Sequence, residues 1–326
     1  MNQPQTHPAA SAAAAFVVTL LLSALVWVVY RTAWMSDDGY ITLRVIDNFV
    51  NGYGLRWNMA ERVQVYTHPL WMFLLTPVYF FTREGFLTPV YFSIAVSAAA
   101  AALFAFGVAR HPLSAVLGLL TFLFSRAYID YATSGLENPL THLLLAGFIA
   151  LFFFGPATPR TTFALVLLAA LGALNRLDTG LLYAPALLYL FFSRFGLRTT
   201  AACVLGFLPL VLWLAFATVY YGFPFPNTAY AKIGTGIGGV ETAQQGAWYL
   251  VNSLREDPIT LATIVLAAFY AGGRREWRTI MLMLGVLLYL AYIVRIGGDF
   301  MTGRFLSAPL FVAVAVLAQW RPTGRT

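Results

Sequence analysis

Charge is what this sequence most lacks. Of its 326 residues only 10% are charged, where a soluble domain carries about a quarter. With 60% hydrophobic residues and a mean hydropathy of +0.74, the composition excludes an ordinary soluble enzyme. Cysteine is nearly absent too. The single Cys203 excludes an internal disulfide and a cysteine-based metal cluster. The four histidines, His7, His68, His111 and His142, are scattered without a pair at ligand spacing. They speak against a histidine-built metalloenzyme and indicate no resident cofactor, while leaving divalent-metal dependence open. Lysine is reduced to Lys232 among twenty basic residues. The net charge of +7 is spread over short loops with no basic block, so it reads as membrane topology and not as nucleic-acid binding. No internal repeat is visible.

Long apolar runs fill the chain instead, near 13–30, 68–82, 86–109, 112–128, 136–155, 160–174, 179–194, 198–221, 259–273, 279–295 and 304–320. A hydrocarbon core about 30 Å thick takes roughly 20 apolar residues per helix. The expected fold is therefore all-α: a polytopic integral membrane protein of about eleven hydrophobic helices, one membrane domain over 1–326. Its polar loops lie near 31–67 and 222–258. The first run lacks a basic leader and a cleavage site and reads as a retained anchor. Tyr and Trp suit the membrane interfaces.

Short basic junctions at Arg194/Arg198, at Arg274, Arg275 and Arg278, and at Arg321/Arg325 read as cytoplasmic. Alternation from the C-terminus then places Asp37, Asp38, Asp47, Glu61, Asp130, Glu137, Asp178, Glu241, Glu256, Asp257 and Asp299 outside, and only Glu84 and Glu276 inside. Two full crossings within 86–128 break this parity, so one of those runs is expected to be re-entrant or miscounted. Ionisable groups at a membrane are costly and functional, so acids gathered on one face predict chemistry there.

Five segments carry that chemistry. Ser36-Asp37-Asp38-Gly39-Tyr40 precedes a stretch with Ile41, Val45, Phe49 and Ile46, Val50, Tyr53 on one face, which predicts an interfacial helix. One aspartate can cap it, leaving the other spare. Thr133-Ser134-Gly135-Leu136-Glu137 opens a helix, where an acid also suits the dipole. Asn175-Arg176-Leu177-Asp178 reads first as a structural ion pair in a tight turn. Pro224-Phe225-Pro226-Asn227 leads to Lys232, which serves as a phosphate-binding point charge or as a snorkelling anchor. Gly297-Gly298-Asp299 lies between Arg295 and Arg304, and an arginine there can grip phosphate bidentately.

In order, Asp37-Asp38-Gly39-Tyr40-Ile41, Arg44, Asn51-Gly52-Tyr53-Gly54-Leu55, Asn58, Glu61-Arg62-Val63 and Tyr66-Thr67-His68-Pro69-Leu70-Trp71 resemble the bacterial GT-C membrane glycosyltransferases, in particular the mycobacterial terminal β-(1→2)-arabinofuranosyltransferase group. Ser134-Gly135-Leu136-Glu137, Arg176-Leu177-Asp178, Pro226-Asn227-Thr228 with Lys232, and Gly297-Gly298-Asp299 with Arg304-Phe305 extend the likeness over about 37–305. It implies an inverting transfer of a sugar, such as arabinose, from a polyprenyl-phosphate donor. The acceptor would be a glycan or protein on the outer face of the bacterial cytoplasmic membrane.

Carried over, Asp37 or Asp38 is the general base, while Lys232, Arg304 and Arg295 neutralise the departing phosphate. Tyr40, Arg44, Tyr66, His68, Glu137, Asp178, Asn227 and Asp299 are the sugar- and acceptor-contact residues. Gln64-Val65 replaces an expected Glu-Gly, and the chain ends soon after its last run, so a different or smaller acceptor is expected. Two rival readings compete. A transporter or flippase of a lipid-linked glycan would carry mid-membrane acids and repeats, and a non-catalytic assembly subunit would tolerate Asp37→Asn and Asp38→Asn.

Overall fold

The computed structural model describes residues 8–233 and 236–321. Among these are fifteen α-helices and no strands. All eleven apolar runs are helical. The additional helices are α2 (Asp37–Val50), α6 (Arg126–Asp130), α11 (Asn227–Ile233) and α12 (Gly239–Glu256), so the count of about eleven is an underestimate.

Ten helices run from one end of the bundle to the other: α1 (Pro8–Arg31), α4 (Leu87–Leu103, extended by a π turn to Val108), α5 (Pro112–Phe124), α7 (Asn138–Phe154), α8 (Pro159–Asn175), α9 (Gly180–Ser193), α10 (Leu197–Tyr221), α13 (Pro258–Arg274), α14 (Trp277–Arg295) and α15 (Ser307–Leu317). Four segments are long and apolar enough to cross a membrane by themselves: Ala12–Arg31, Leu87–Val108, Leu197–Tyr221 and Trp277–Arg295. The ends are identified by their contacts. At the tail, Arg110 donates to Gln319 at 2.7 Å and Arg278 to the Phe153 carbonyl at 2.8 Å. At the head, Asn138 reaches the Arg304 carbonyl at 3.2 Å.

Helix α15 is the axis. Every residue from Ser307 to Val316 is buried, as expected of a helix that is apolar all round. Phe311 stacks in a row with Phe122 and His142, and Tyr128 stacks on both of these rings. Backbones approach closely where glycine permits: a side chain at Gly285 of α14 would collide with the Leu182 carbonyl of α9.

The head is built from helices that do not cross. In α2, Ser36 caps the N-terminus by accepting the Gly39 N–H at 3.2 Å. Its buried face is Thr42, Leu43, Val45 and Ile46, whereas Ile41, Phe49 and Tyr53 of the expected apolar face are exposed. Helix α3 (Pro69–Thr82) runs alongside α2 in the same direction. Thr42 meets His68 at 2.7 Å, Tyr79 donates to Asp47 at 3.0 Å, and Arg83 donates to Asn51 at 3.0 Å.

This corrects the expected topology. Both ends of α3 stay beside α2, its start at His68 against Thr42 and its end at Arg83 against Asn51, so it does not run the length of the bundle. The parity fault lies in α3 and not within 86–128. Glu84 therefore belongs with the acids at the head, where it accepts N–H groups of Phe86 and Thr88 at the start of α4. Helix α12 lies over the head too, laying a stripe of Gly246, Tyr249 and Ser253 against α14 and the turn after it.

This arrangement predicts that, with Cys203→Ser as background, cysteines at Glu84 and Asn58 react with a membrane-impermeant maleimide from the same side. Labelling from opposite sides contradicts the non-crossing α3.

Candidate active site

Three loops converge at the head. Ser36 ties the first loop to the Thr133–Glu137 turn, its hydroxyl donating to the Ser134 carbonyl at 2.9 Å, and the Trp71 indole donates to the Gly135 carbonyl at 3.0 Å. Gly135 has φ +77°, open to glycine at little cost. Its Cα lies against Gly39, so α2 and the start of α7 meet backbone to backbone. Asn175 at the end of α8 donates to the Glu137 carbonyl at 3.0 Å and fixes the third loop.

These ties leave the Glu137 carboxylate with no solvent exposure, among two arginines and a histidine. Arg176 donates to it at 2.8 Å, His68 Nδ1 lies 3.0 Å away, and Arg304 Nη2 lies 3.8 Å away. Burial pushes its pKa up. The charges of His68, Arg176 and Arg304 outweigh that, holding it well below the ordinary carboxylate range. Arg176 also grips both oxygens of Asp178, at 2.8 and 3.0 Å, and lies 4.3 Å over the Phe305 ring. Thr42 and Glu137 hold the His68 ring from both sides.

Arg304 joins this buried network to the aspartate pair. Its Nη1 is 3.1 Å from Asp38 and 3.5 Å from Asp299, while its Nε has no partner. The two aspartates are therefore not equivalent. Asp37 is exposed and accepts the Asp38 N–H at 2.9 Å, a helix-end role. Asp38 reaches across to a group 266 residues further along the chain. Asp37 instead lines a cavity of about 440 Å³ with Tyr40, Arg44 and Trp57. Arg44 lies 4.7 Å over the Trp57 ring and donates to its carbonyl.

The structure thus brings Asp38, His68, Glu137, Asp178, Asp299 and Arg304 together, and separates others from them. Tyr66 is not open to a ligand. It is buried in a second apolar core, where its hydroxyl pairs with that of Tyr221 at 2.9 Å. His68, Glu137 and both Asp178 oxygens are already engaged inside the protein. Arg295 is exposed at the end of α14 and makes no ion pair among the described residues. Asn227 is exposed, its N–H donating to the Gln64 carbonyl at 2.9 Å. Lys232 stands in α11, but its side chain lies outside what the structure describes. Sequence reasoning missed Thr42, Asn138 and Asn175, neutral residues whose function appears only once the loops meet.

The all-helical fold recurs in solved structures of other proteins. Three solved structures share it. ArnT from Cupriavidus metallidurans has a TM-score of 0.65 at 16% identity, with 94% of this chain and 59% of that one covered. Arabinosyltransferase EmbB from Mycobacterium smegmatis gives 0.60 at 13% over 98% and 31%. The oligosaccharyltransferase AglB from Archaeoglobus fulgidus gives 0.56 at 12% over 92% and 50%.

In sequence, the chain is similar to terminal β-(1→2)-arabinofuranosyltransferases. It is 27% identical to that of Corynebacterium glutamicum over 90% of this chain, and 28% identical to that of Mycobacterium tuberculosis over 89%. It spans about half the length of these relatives, 50% and 53% respectively. No protein-family model matches.

Removing one member of a buried charge cluster costs about 3–5 kcal/mol, so Glu137→Ala should lower the thermal unfolding midpoint in detergent sharply. The pH dependence follows from the depressed pKa. The carboxylate's contribution is full above its unfolded value of about 4.3 and is lost as pH falls through the lower folded value. Acid unfolding curves should show this loss in the wild type, and Glu137→Gln should lack it.

Proposed function

We propose that the chain is an inverting glycosyltransferase. It moves a sugar, read as a pentofuranose such as arabinose, from a polyprenyl-phosphate donor to a glycan or protein acceptor. The head of the bundle faces the outside of the bacterial cytoplasmic membrane. The observation that carries this reading is the Asp38–Arg304 pair, held at the head of a GT-C fold by the buried Glu137 cluster. The names of the relatives support the sugar, and the dolichol-phosphate in the AglB complex supports the lipid carrier. The tail end, with Arg194, Arg198, Arg274, Arg275 and Arg278, faces the cytoplasm in accord with the positive-inside rule.

In this mechanism Asp38 is the general base. The acceptor oxygen attacks the anomeric carbon as Asp38 takes its proton. The bond from that carbon to the phosphate oxygen breaks, and the electron pair leaves with the polyprenyl phosphate. Attack from the face opposite the phosphate inverts the centre. In the resting structure the Asp38 carboxylate is held by Arg304 at 3.1 Å. An arriving phosphate competes for the same guanidinium, so donor binding itself frees the base.

Two arginines among Asp38, Glu137, Asp178 and Asp299 leave the cluster short of positive charge. Lys232 and Arg295 supply the rest. Lys232 stands on a segment tied to the first loop through Asn227 and Gln64. Glu137 and Asp178 position the arginines, and Asp299 steadies Arg304. Tyr40 and Arg44, beside the second cavity, contact the donor's sugar or headgroup. Acids collected at the head, and not midway along the helices, favour this reading over a transporter.

General-base catalysis contributes about 10²–10⁴-fold. Asp38→Asn should therefore lower kcat for sugar transfer in liposomes by about that factor, while Asp37→Asn stays within about tenfold of wild type. The reverse order moves the base to Asp37, and full activity in both variants removes carboxylate base catalysis from the account.

A further inference from the structure

A second, larger cavity of about 560 Å³ opens at the head, between α6, α12 and the turn at 301–306. Its volume suits a small-molecule ligand. The wall next to the Asp38–Arg304 pair is Met301, whose sulfur lies 3.8 Å from the Arg304 Nη1 that also touches Asp38. Trp34, four residues before Asp38, forms another wall and meets Tyr131 edge-on, their ring centroids 6.2 Å apart.

The lining has a definite chemistry. Asp130, Glu256 and Asp257 bring three negative charges, and the one cation, Arg126, is held between Asp130 at 3.2 Å and Glu256 at 2.6 Å. A phosphate-bearing donor is repelled from such a space. Hydroxyl groups are accepted by it: the open oxygens of Asp130 and Glu256 and the Asn252 amide carbonyl take hydrogen bonds from a polyol, and Trp34 and Tyr131 offer apolar ring surface. Ser253 points to a ligand independently. It is 2% exposed, it lines the cavity, and its hydroxyl has no partner in the protein. Buried polar groups are rarely left so.

We propose that this cavity is the acceptor subsite, seating neutral furanose or pyranose units of an oligosaccharide whose terminal hydroxyl reaches Asp38 past Met301. The assignment rests on the transferase reading above. It adds a division of labour: the acidic cavity takes the uncharged acceptor, and the anionic donor approaches the Asp38–Arg304 pair from outside it.

The test uses the full chain in detergent, without donor, and a synthetic arabinofuranosyl oligosaccharide as probe, with binding read by saturation-transfer NMR. Asn252→Trp and Glu256→Trp, at exposed rim positions, fill the mouth of the cavity, and size-exclusion profiles confirm that each variant folds. The wild type should bind the probe, either rim variant should raise the half-saturating concentration about tenfold or more, and Asp38→Asn should bind normally.

In transfer assays the rim variants should raise the acceptor KM and leave the donor KM unchanged. Binding and acceptor KM that ignore both rim variants overturn the subsite while leaving the transferase reading intact. A raised donor KM alone also overturns it, assigning the cavity to the donor. Probe binding that the rim variants abolish, in a wild type that releases no polyprenyl phosphate, upholds the glycan site and sinks the transferase reading instead.

Discussion

One buried carboxylate organises the head of this protein. Glu137 has no access to water, and an ionised carboxylate in that position is untenable unless cations surround it. Its partners come from three distant parts of the chain: Arg176 from the α8–α9 junction and Arg304 from the start of the axial helix supply the charge, and His68 from the first loop packs against the remaining oxygen. The electrostatic requirement is thereby a topological one. The loops cannot separate without stranding charge, and the aspartate pair of α2 is held to the axis of the bundle through the Arg304 bridge. On the proposed function, the geometry this cluster imposes is what aligning two substrates requires.

The same network explains how so few charges suffice. Asp38 touches Arg304, Arg304 touches Asp299 and lies near Glu137, and Glu137 is bonded to Arg176, which holds Asp178. Each group orients the next, and only the Asp38 end is open enough to meet a substrate. Low local dielectric strengthens every link. Two cavities open at the head, one lined by Arg126, Asp130, Glu256 and Asp257 and the other by Asp37, Arg44 and Asp47.

Much of this was legible in the sequence, for a physical reason. In a chain with only thirteen acids, each acid stands out. Asp38, Glu137, Asp178 and Asp299 were singled out before their meeting was visible, and Arg176–Asp178 was read correctly as an ion pair. The apolar runs were equally plain, because a membrane-spanning helix is apolar along its whole length. Helix α3 was misassigned because hydropathy does not distinguish a helix that crosses from one packed along the head; only its contacts with α2 show where it lies. Tyr66 was misplaced because a motif tyrosine looks the same whether it faces a ligand or, as here, the Tyr221 hydroxyl. Asn252 and Ser253 carry no signal until α12 folds over the head.

The central claim is that this geometry moves a sugar off a lipid carrier. Its most direct test is to place the purified protein in liposomes with a polyprenyl-phosphate pentofuranose and an arabinofuranosyl acceptor, and to follow free polyprenyl phosphate and glycosylated product by mass spectrometry. The account predicts equal amounts of both, with the anomeric centre inverted in the product. Lipid-linked sugar that crosses the bilayer intact, with no polyprenyl phosphate released, would contradict it.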